Sequence, residues 1–187
     1  MNVADARSIL RRHDPVCVSD PSRKQAAVAI VLSPFGDTDS EILLIKRASR
    51  PGDPWSGQMA LPGGRRNPED TDLAATAIRE TREETGIDLA RGDLLGQLDD
   101  HAPKTPDLPP ILVRPFVFAL ESRPSIRPNH EVERHLWASV HGLAASERKA
   151  RVRVRGTDLI VPAFHAEGEV IWGMTHRIIT NFFDLRS

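Results

Sequence analysis

Three observations predict an α/β domain. Apolar runs of strand length recur along the chain, one segment keeps helical periodicity over residues 72–85 with no Gly or Pro to break it, and the C-terminal stretch repeats an apolar stripe at helical spacing. The 187 residues have the size of one domain, and no repeat, low-complexity tract or linker divides them. Residues 1–187 therefore read as a single domain, with 1–24 as an N-terminal helix and lead-in.

The elements follow in order. Val3, Ala6, Ile9 and Leu10 set a weak helical pattern that reaches Arg12 and stops before Pro15. Residues 25–32 are a continuous apolar run, the signature of a buried strand, and Pro34-Phe35-Gly36-Asp37 predicts a turn into a second run at 41–46. Glycines and prolines then punctuate residues 50–64, a loop under tight backbone control that ends in Leu61-Pro62-Gly63-Gly64. The helix at 72–85 carries Leu73, Ala77, Ile78 and Thr81 on one side, and Gly86 supplies its C-terminal stop. Further strands are predicted at 94–98, 111–120 and 132–139, the second preceded by a proline-rich loop at 101–110. Arg151, Arg153 and Arg155 alternate with valines as in an edge strand, with 159–161 and 170–172 as its partners. Met174, Ile178, Ile179, Phe182 and Phe183 outline a terminal amphipathic helix, and Trp137 and Trp172 read as core residues.

Composition removes whole classes of function. The 25 Lys and Arg balance 26 Asp and Glu to a net charge of -1, so no nucleic-acid or membrane partner is expected and any phosphate recognition must be local. The lone Cys17 excludes an internal disulfide, which points to a reducing, cytoplasmic compartment. The N-terminus is charged where a signal peptide is apolar, and no run approaches the ~20 apolar residues of a membrane span, so the chain reads as soluble. Seven histidines form no H-E-x-x-H or Cys/His zinc spacing. No G-x-S-x-G, Walker loop or G-x-G-x-x-G is present, which argues against a serine hydrolase, a P-loop NTPase and a dinucleotide oxidoreductase.

The chemistry concentrates between Gly63 and Ile87. At ~100° per residue, Glu80, Glu83 and Glu84 fall within an arc of roughly 100° on one helix face. Such neighbours repel, so they need either arginines or a hard cation, and carboxylate oxygens suit Mg²⁺ or Mn²⁺ better than zinc. A solvated face balanced by Arg79 and Arg82 is the plainer reading of an acidic helix. The preceding Leu-Pro-Gly-Gly loop favours the cation, because glycines let backbone groups approach a metal and its phosphate ligand.

These residues resemble the Nudix box, G-x5-E-x7-R-E-U-x-E-E-x-G-U with U aliphatic. Arg79-Glu80, Glu83-Glu84, Gly86 and Ile87 fit its C-terminal half, with Thr81 at an aliphatic position; counting from Gly64, Asp70 stands where the first Glu is expected, and the run to Arg79 is one residue longer. Residues 67–80 are similar to the coenzyme A pyrophosphatase branch of that family. Its upstream signature, L-L-T-x-R-[SA] followed by R-x3-G-x3-F-P-G-G, is matched in large part by Leu43-Leu44-Ile45-Lys46-Arg47-Ala48 and by Gly57 to Gly64, with Asp53 near the position of its second arginine. Leu98-Asp99-Asp100, the 110–115 run, Asn129-His130-Glu131-Val132 and Trp172-Gly173-Met174-Thr175 extend the similarity over residues 25–185.

The resemblance implies an α/β/α sandwich with a mixed β-sheet between helices, and hydrolysis of a diphosphate joining a nucleoside to another moiety. It implies Mg²⁺ or Mn²⁺ on Glu80, Glu83, Glu84 and the Gly64 carbonyl, with Arg79 bracing Glu83. A general base from outside the box is expected at Glu131, with Glu133 second and a box glutamate as the remaining choice. Arg47, Arg65 and Arg66 are candidate phosphate contacts, with Gln58 beside them; Trp55 either stacks on a base or anchors its loop. The favoured substrate is coenzyme A or acyl-CoA, giving adenosine 3',5'-bisphosphate and a phosphopantetheine species. ADP-ribose, dinucleoside polyphosphates and nucleoside triphosphates stay open, as do a non-catalytic nucleotide-sensing module and a nucleic-acid binder supported only by Arg151, Arg153 and Arg155. A homodimer is compatible with the sequence.

Overall fold

A computed structural model of the chain describes residues 1–20, 22–50, 55–90, 93–103, 110–154 and 156–186. Strand β1 (Lys24–Phe35) is its axis. It pairs in parallel with β6 (Ile111–Ala119) and antiparallel with β2 (Asp39–Arg47) and β4 (Gly63–Arg65). Strand β3 (Met59–Ala60) and β7 (Val132–Ser139) add to β2, and β5 (Leu94–Gln97) adds to β6, so the seven-stranded sheet is mixed.

The unbroken apolar run of β1 follows from burial on both sides. Ala27, Ala29 and Val31 pack with Leu43, Phe116, Phe118 and Trp137 beneath Leu73, Ala74 and Ala77 of helix α2 (Leu73–Thr85). Ile30 and Leu32 face the opposite layer, where Ile42, Leu44 and Val117 meet α1 (Val3–Leu10), α3 (Val140–Ala145) and α4 (Gly173–Asp184). Helices thus cover both faces, giving the α/β/α sandwich. A second sheet, ordered β10 (Glu169–Trp172), β9 (Thr157–Ala166), β8 (Arg148–Val154), leads straight into α4.

Helix α2 begins and ends where local chemistry dictates. The Asp72 carboxylate accepts from Ala75 N at 2.8 Å, and Gly86 takes the left-handed conformation (φ 74°) while its amide donates to Arg82 O at 2.9 Å. β8 is an edge strand with Arg151 and Arg153 exposed, as their alternation predicts; Arg155 lies outside the described residues.

Several boundaries differ from expectation. Pro34 and Phe35 lie in β1, with Pro34 opposite Ser40, so the turn falls at 36–38; a proline is tolerated there because the strand is ending. Helix α1 stops at Leu10. The glycine-rich loop contains β3 and β4, which carry too few side chains to show a strand pattern. α3 was not expected; the Ser139 hydroxyl caps it by accepting from Gly142 N at 2.8 Å. Trp137 is buried, with the Arg123 guanidinium 5.6 Å from its ring centre, whereas Trp172 is only half-buried because it precedes the first turn of α4. Residues 104–109 of the proline-rich loop lie outside the described residues.

Candidate active site

Pairing of β4 with β1, Ala27 opposite Gly64 and Val28 opposite Gly63, brings the glycine pair alongside α2. Both positions depend on having no side chain. A Cβ on Gly63 would collide with the Ala27 carbonyl oxygen and come within 2.6 Å of Val28 Cα, and its φ is 150°. A Cβ on Gly64 would lie 2.5–2.6 Å from the carboxylate atoms of Glu80, so that carboxylate occupies the space left by the missing side chain.

Arg79 organises the acidic face. Its Nε donates to Asp70 Oδ1 and its Nη2 to Asp70 Oδ2, both at 3.0 Å. Nη1 donates to Glu80 Oε1 at 2.8 Å and Glu83 Oε2 at 3.2 Å, and Nη2 also reaches Arg65 O at 3.0 Å. All N–H donors of the guanidinium are thereby engaged. Sequence reasoning assigned Asp70 no role; the structure makes it the anchor of Arg79. Asp70 is buried, accepts also from Asn67 N and Thr76 Oγ1, and is held well below the usual carboxylate range by Arg79 above all. The box position alone was the signal that could have found it. Thr81 fits an aliphatic position because its buried hydroxyl donates to Ala77 O at 2.7 Å, which leaves no unpaired donor in the core.

Burial shapes the electrostatics of the other acids. Glu84 is pushed up to about 8 by burial, with Glu80 and Glu131 adding repulsion, while the Gly63 amide at 2.9 Å and the charge of Arg47 oppose the shift. Burial raises Glu80 as well, against the pull of Arg79. Glu83 is about half exposed.

The segment before β7 closes over the end of α2. Arg127 N donates to Thr85 O at 2.7 Å and Asn129 N to Glu84 O at 3.2 Å; the Asn129 side chain accepts from Glu131 N at 2.8 Å. Glu131 therefore sits where both Glu80 and Glu84 feel its charge. Its carboxylate accepts from Arg50 Nη1 at 2.9 Å, a partner that no spacing in the sequence reveals. Glu133, the second candidate base, turns instead to Lys46 Nζ at 3.5 Å, within an ion-pair network that includes Glu169 and Arg134.

The remaining sequence candidates divide. Arg47 N donates to Gln58 O at 3.0 Å, Gly57 N to Arg47 O at 3.1 Å and Gln58 N to Trp55 O at 3.3 Å, so Arg47, Trp55 and Gln58 share one backbone-bonded corner. Arg65 has an exposed side chain, and its carbonyl belongs to Arg79. Arg66 binds Gln25 Oε1 at 2.9 Å and Asp70 O at 3.3 Å, fastening the loop. Asp53 lies outside the described residues.

The donor set suits a hard divalent cation: carboxylates from Glu80, Glu83 and Glu84, a glycine cradle against Glu80, and a buried Glu84 whose charge lacks full compensation. Among the described residues no three His, Cys, Asp or Glu side chains already enclose an ion. Arg79 holds Glu80 and Glu83, and the Gly63 amide holds Glu84, so ligation requires these side chains to re-aim.

The NUDIX domain family model matches residues 23–156. Mitochondrial coenzyme A diphosphatase NUDT8 of Homo sapiens is 30% identical over 167 residues, covering 86% of this chain and 69% of that protein. An uncharacterized Nudix hydrolase NudL of Photorhabdus laumondii is 32% identical over 174 residues, covering 88% of this chain and 86% of NudL. The chain spans between 29% and 53% of the length of three further relatives from Schizosaccharomyces pombe and Arabidopsis thaliana. In fold, it matches a MutT/nudix family protein from Enterococcus faecalis with a TM-score of 0.62 at 16% identity, over 100% of this chain and 70% of that one. Among the described residues no helix is long and apolar enough to cross a membrane.

Proposed function

The chain belongs to the Nudix family, and on that footing we propose that it hydrolyses the diphosphate bond of a nucleoside diphosphate derivative with Mg²⁺ or Mn²⁺, coenzyme A or acyl-CoA being the favoured substrate. One observation carries the reading: the Glu80 carboxylate lies in the space that Gly64 leaves open, on the helix face that also bears Glu83 and Glu84. The partial coenzyme A signature at 43–64 and the similarity to a coenzyme A diphosphatase support the choice of substrate.

In this reading Glu80, Glu83 and Glu84, with the Gly64 carbonyl, hold the cation. When bound there, a divalent cation neutralises diphosphate charge and acidifies water. Arg79, itself gripped by Asp70, sets the position of Glu80 and Glu83. Glu131 accepts the proton of the attacking water, whose oxygen bonds to phosphorus as the bridging P–O bond breaks, leaving two phosphate monoesters. Arg47 and Arg65 offset substrate charge, and Gln58 and Trp55 contact the nucleotide. A cytoplasmic setting belongs to the same reading, supported by Cys17, a free and exposed thiol.

Phosphorus NMR with Mg²⁺ or Mn²⁺ and a panel of coenzyme A, ADP-ribose, dinucleoside polyphosphates and nucleoside triphosphates tests the proposal. The expected products from coenzyme A are adenosine 3',5'-bisphosphate and 4'-phosphopantetheine. Preferential cleavage of another member moves the substrate assignment, and tight binding with no cleavage of any member replaces the enzyme by a nucleotide-sensing module.

A further inference from the structure

We infer that Arg50 is a phosphate-binding residue that rests on Glu131 in the substrate-free protein and passes to a substrate phosphate oxygen as the diphosphate seats, releasing the Glu131 carboxylate into the site. The inference rests on the hydrolase reading above and adds to it a residue that neither the box nor its upstream signature contains.

The geometry prepares such an exchange. Arg50 Nη1 and Glu131 Oε1 are 2.9 Å apart, and the side chains are 43% and 41% exposed. An ion pair so open to water contributes little and yields readily to a better acceptor. A substrate diphosphate is one, because its oxygens match the guanidinium fork and its two phosphates together carry two charges against the one of a carboxylate.

Both ends of the pair are fixed through the backbone, so only side chains need move. Arg50 N donates to Ser56 Oγ at 2.6 Å, and Ala48 N donates to Glu131 O at 2.8 Å. The neighbouring arginines are committed more deeply. Arg79 spends its donors on Asp70, Glu80, Glu83 and a carbonyl, and Arg66 binds Gln25 and the Asp70 carbonyl. Arg50 holds an exposed acid that stands within electrostatic reach of Glu80 and Glu84. Arg50 Nη1 takes up lone-pair space on Glu131 Oε1, so its departure frees that oxygen to meet water as substrate arrives.

Two measurements test this with inorganic diphosphate and Mg²⁺ as the probe. By calorimetry, Arg50→Gln should weaken diphosphate binding about tenfold, the loss expected for one charge-assisted contact, and Arg50→Lys should recover part of it. By NMR of arginine side-chain nitrogens, Glu131→Gln should shift the Arg50 Nη resonance in the free protein and leave it unmoved in the diphosphate-bound protein. Wild-type affinity in Arg50→Gln, no diphosphate binding by the wild type, or an equal Glu131→Gln shift in both states overturns the inference. A protein that shows the expected pattern yet cleaves no nucleoside diphosphate removes the hydrolase reading and leaves the Arg50 assignment standing.

Discussion

Asp70 grips Arg79 through both of its oxygens, with Nε and Nη2 each at 3.0 Å, and Arg79 in turn reaches Glu80 and Glu83. A buried carboxylate nine residues upstream thus sets the spacing of the acidic face through one planar cation.

Asp70→Asn should cost about 2–4 kcal/mol at neutral pH, since it strips a half-buried cation of its buried bidentate partner while Glu80 and Glu83 remain. The pH dependence follows from the sign of the shift. Asp70 lies below its ordinary value of 3.8, so its stabilisation is full above that pH and is lost as pH falls toward the folded-state value. Urea titrations should therefore show the gap between wild type and Asp70→Asn shrinking below about pH 4. A gap that stays constant into acid would mean Asp70 stabilises by packing alone.

The two glycines should fail differently. In Gly63→Ala the new Cβ meets backbone at Ala27 and Val28, which cannot yield, so a loss of more than about 2 kcal/mol is expected. In Gly64→Ala it meets the far end of Glu80, which can move, so thermal stability should hold while turnover collapses. Equal losses of stability in both variants would contradict this division.

Glu83→Gln should keep the fold, because Glu83 is half exposed, and should lower turnover by orders of magnitude with a weakened metal dependence. Chelation of divalent cations should abolish activity in the wild type and lower the residual activity of Glu83→Gln by a smaller factor. Near-normal activity with an unchanged metal requirement would remove Glu83 from the ligand set.

Glu131→Gln should change the acidic limb of the pH profile of kcat/KM, to which the base in the free enzyme contributes. Glu133→Gln, which breaks a contact to Lys46, should leave that profile intact. An unaltered profile in Glu131→Gln assigns the base elsewhere.

Helix α2 was legible residue by residue: the Leu73 and Ala77 stripe, the Gly86 stop and the common face of Glu80, Glu83 and Glu84 all arise from interactions within a few positions. So did the apolar runs of β1, β2 and β6, whose burial on both faces leaves an uninterrupted signature. Short strands such as β3 and β4 left no pattern, because two or three residues cannot display one.

What joins those local pieces was decided in three dimensions. Parallel pairing of β1 with β6, from Lys24 opposite Ile111 to Leu32 opposite Ala119, brings together segments far apart in the chain. Register then separated two acids that look alike in sequence. An irregularity between Lys46 and Arg47 leaves Glu133 without a direct partner on β2, and Glu133 turns to Lys46 while Glu131 meets Arg50. Periodicity and capping act along the chain and can be read from it. The Asp70–Arg79 anchor, the Gly64–Glu80 fit and the Arg50–Glu131 pair depend on where the backbone carries distant side chains, and only packing of the whole domain determines that.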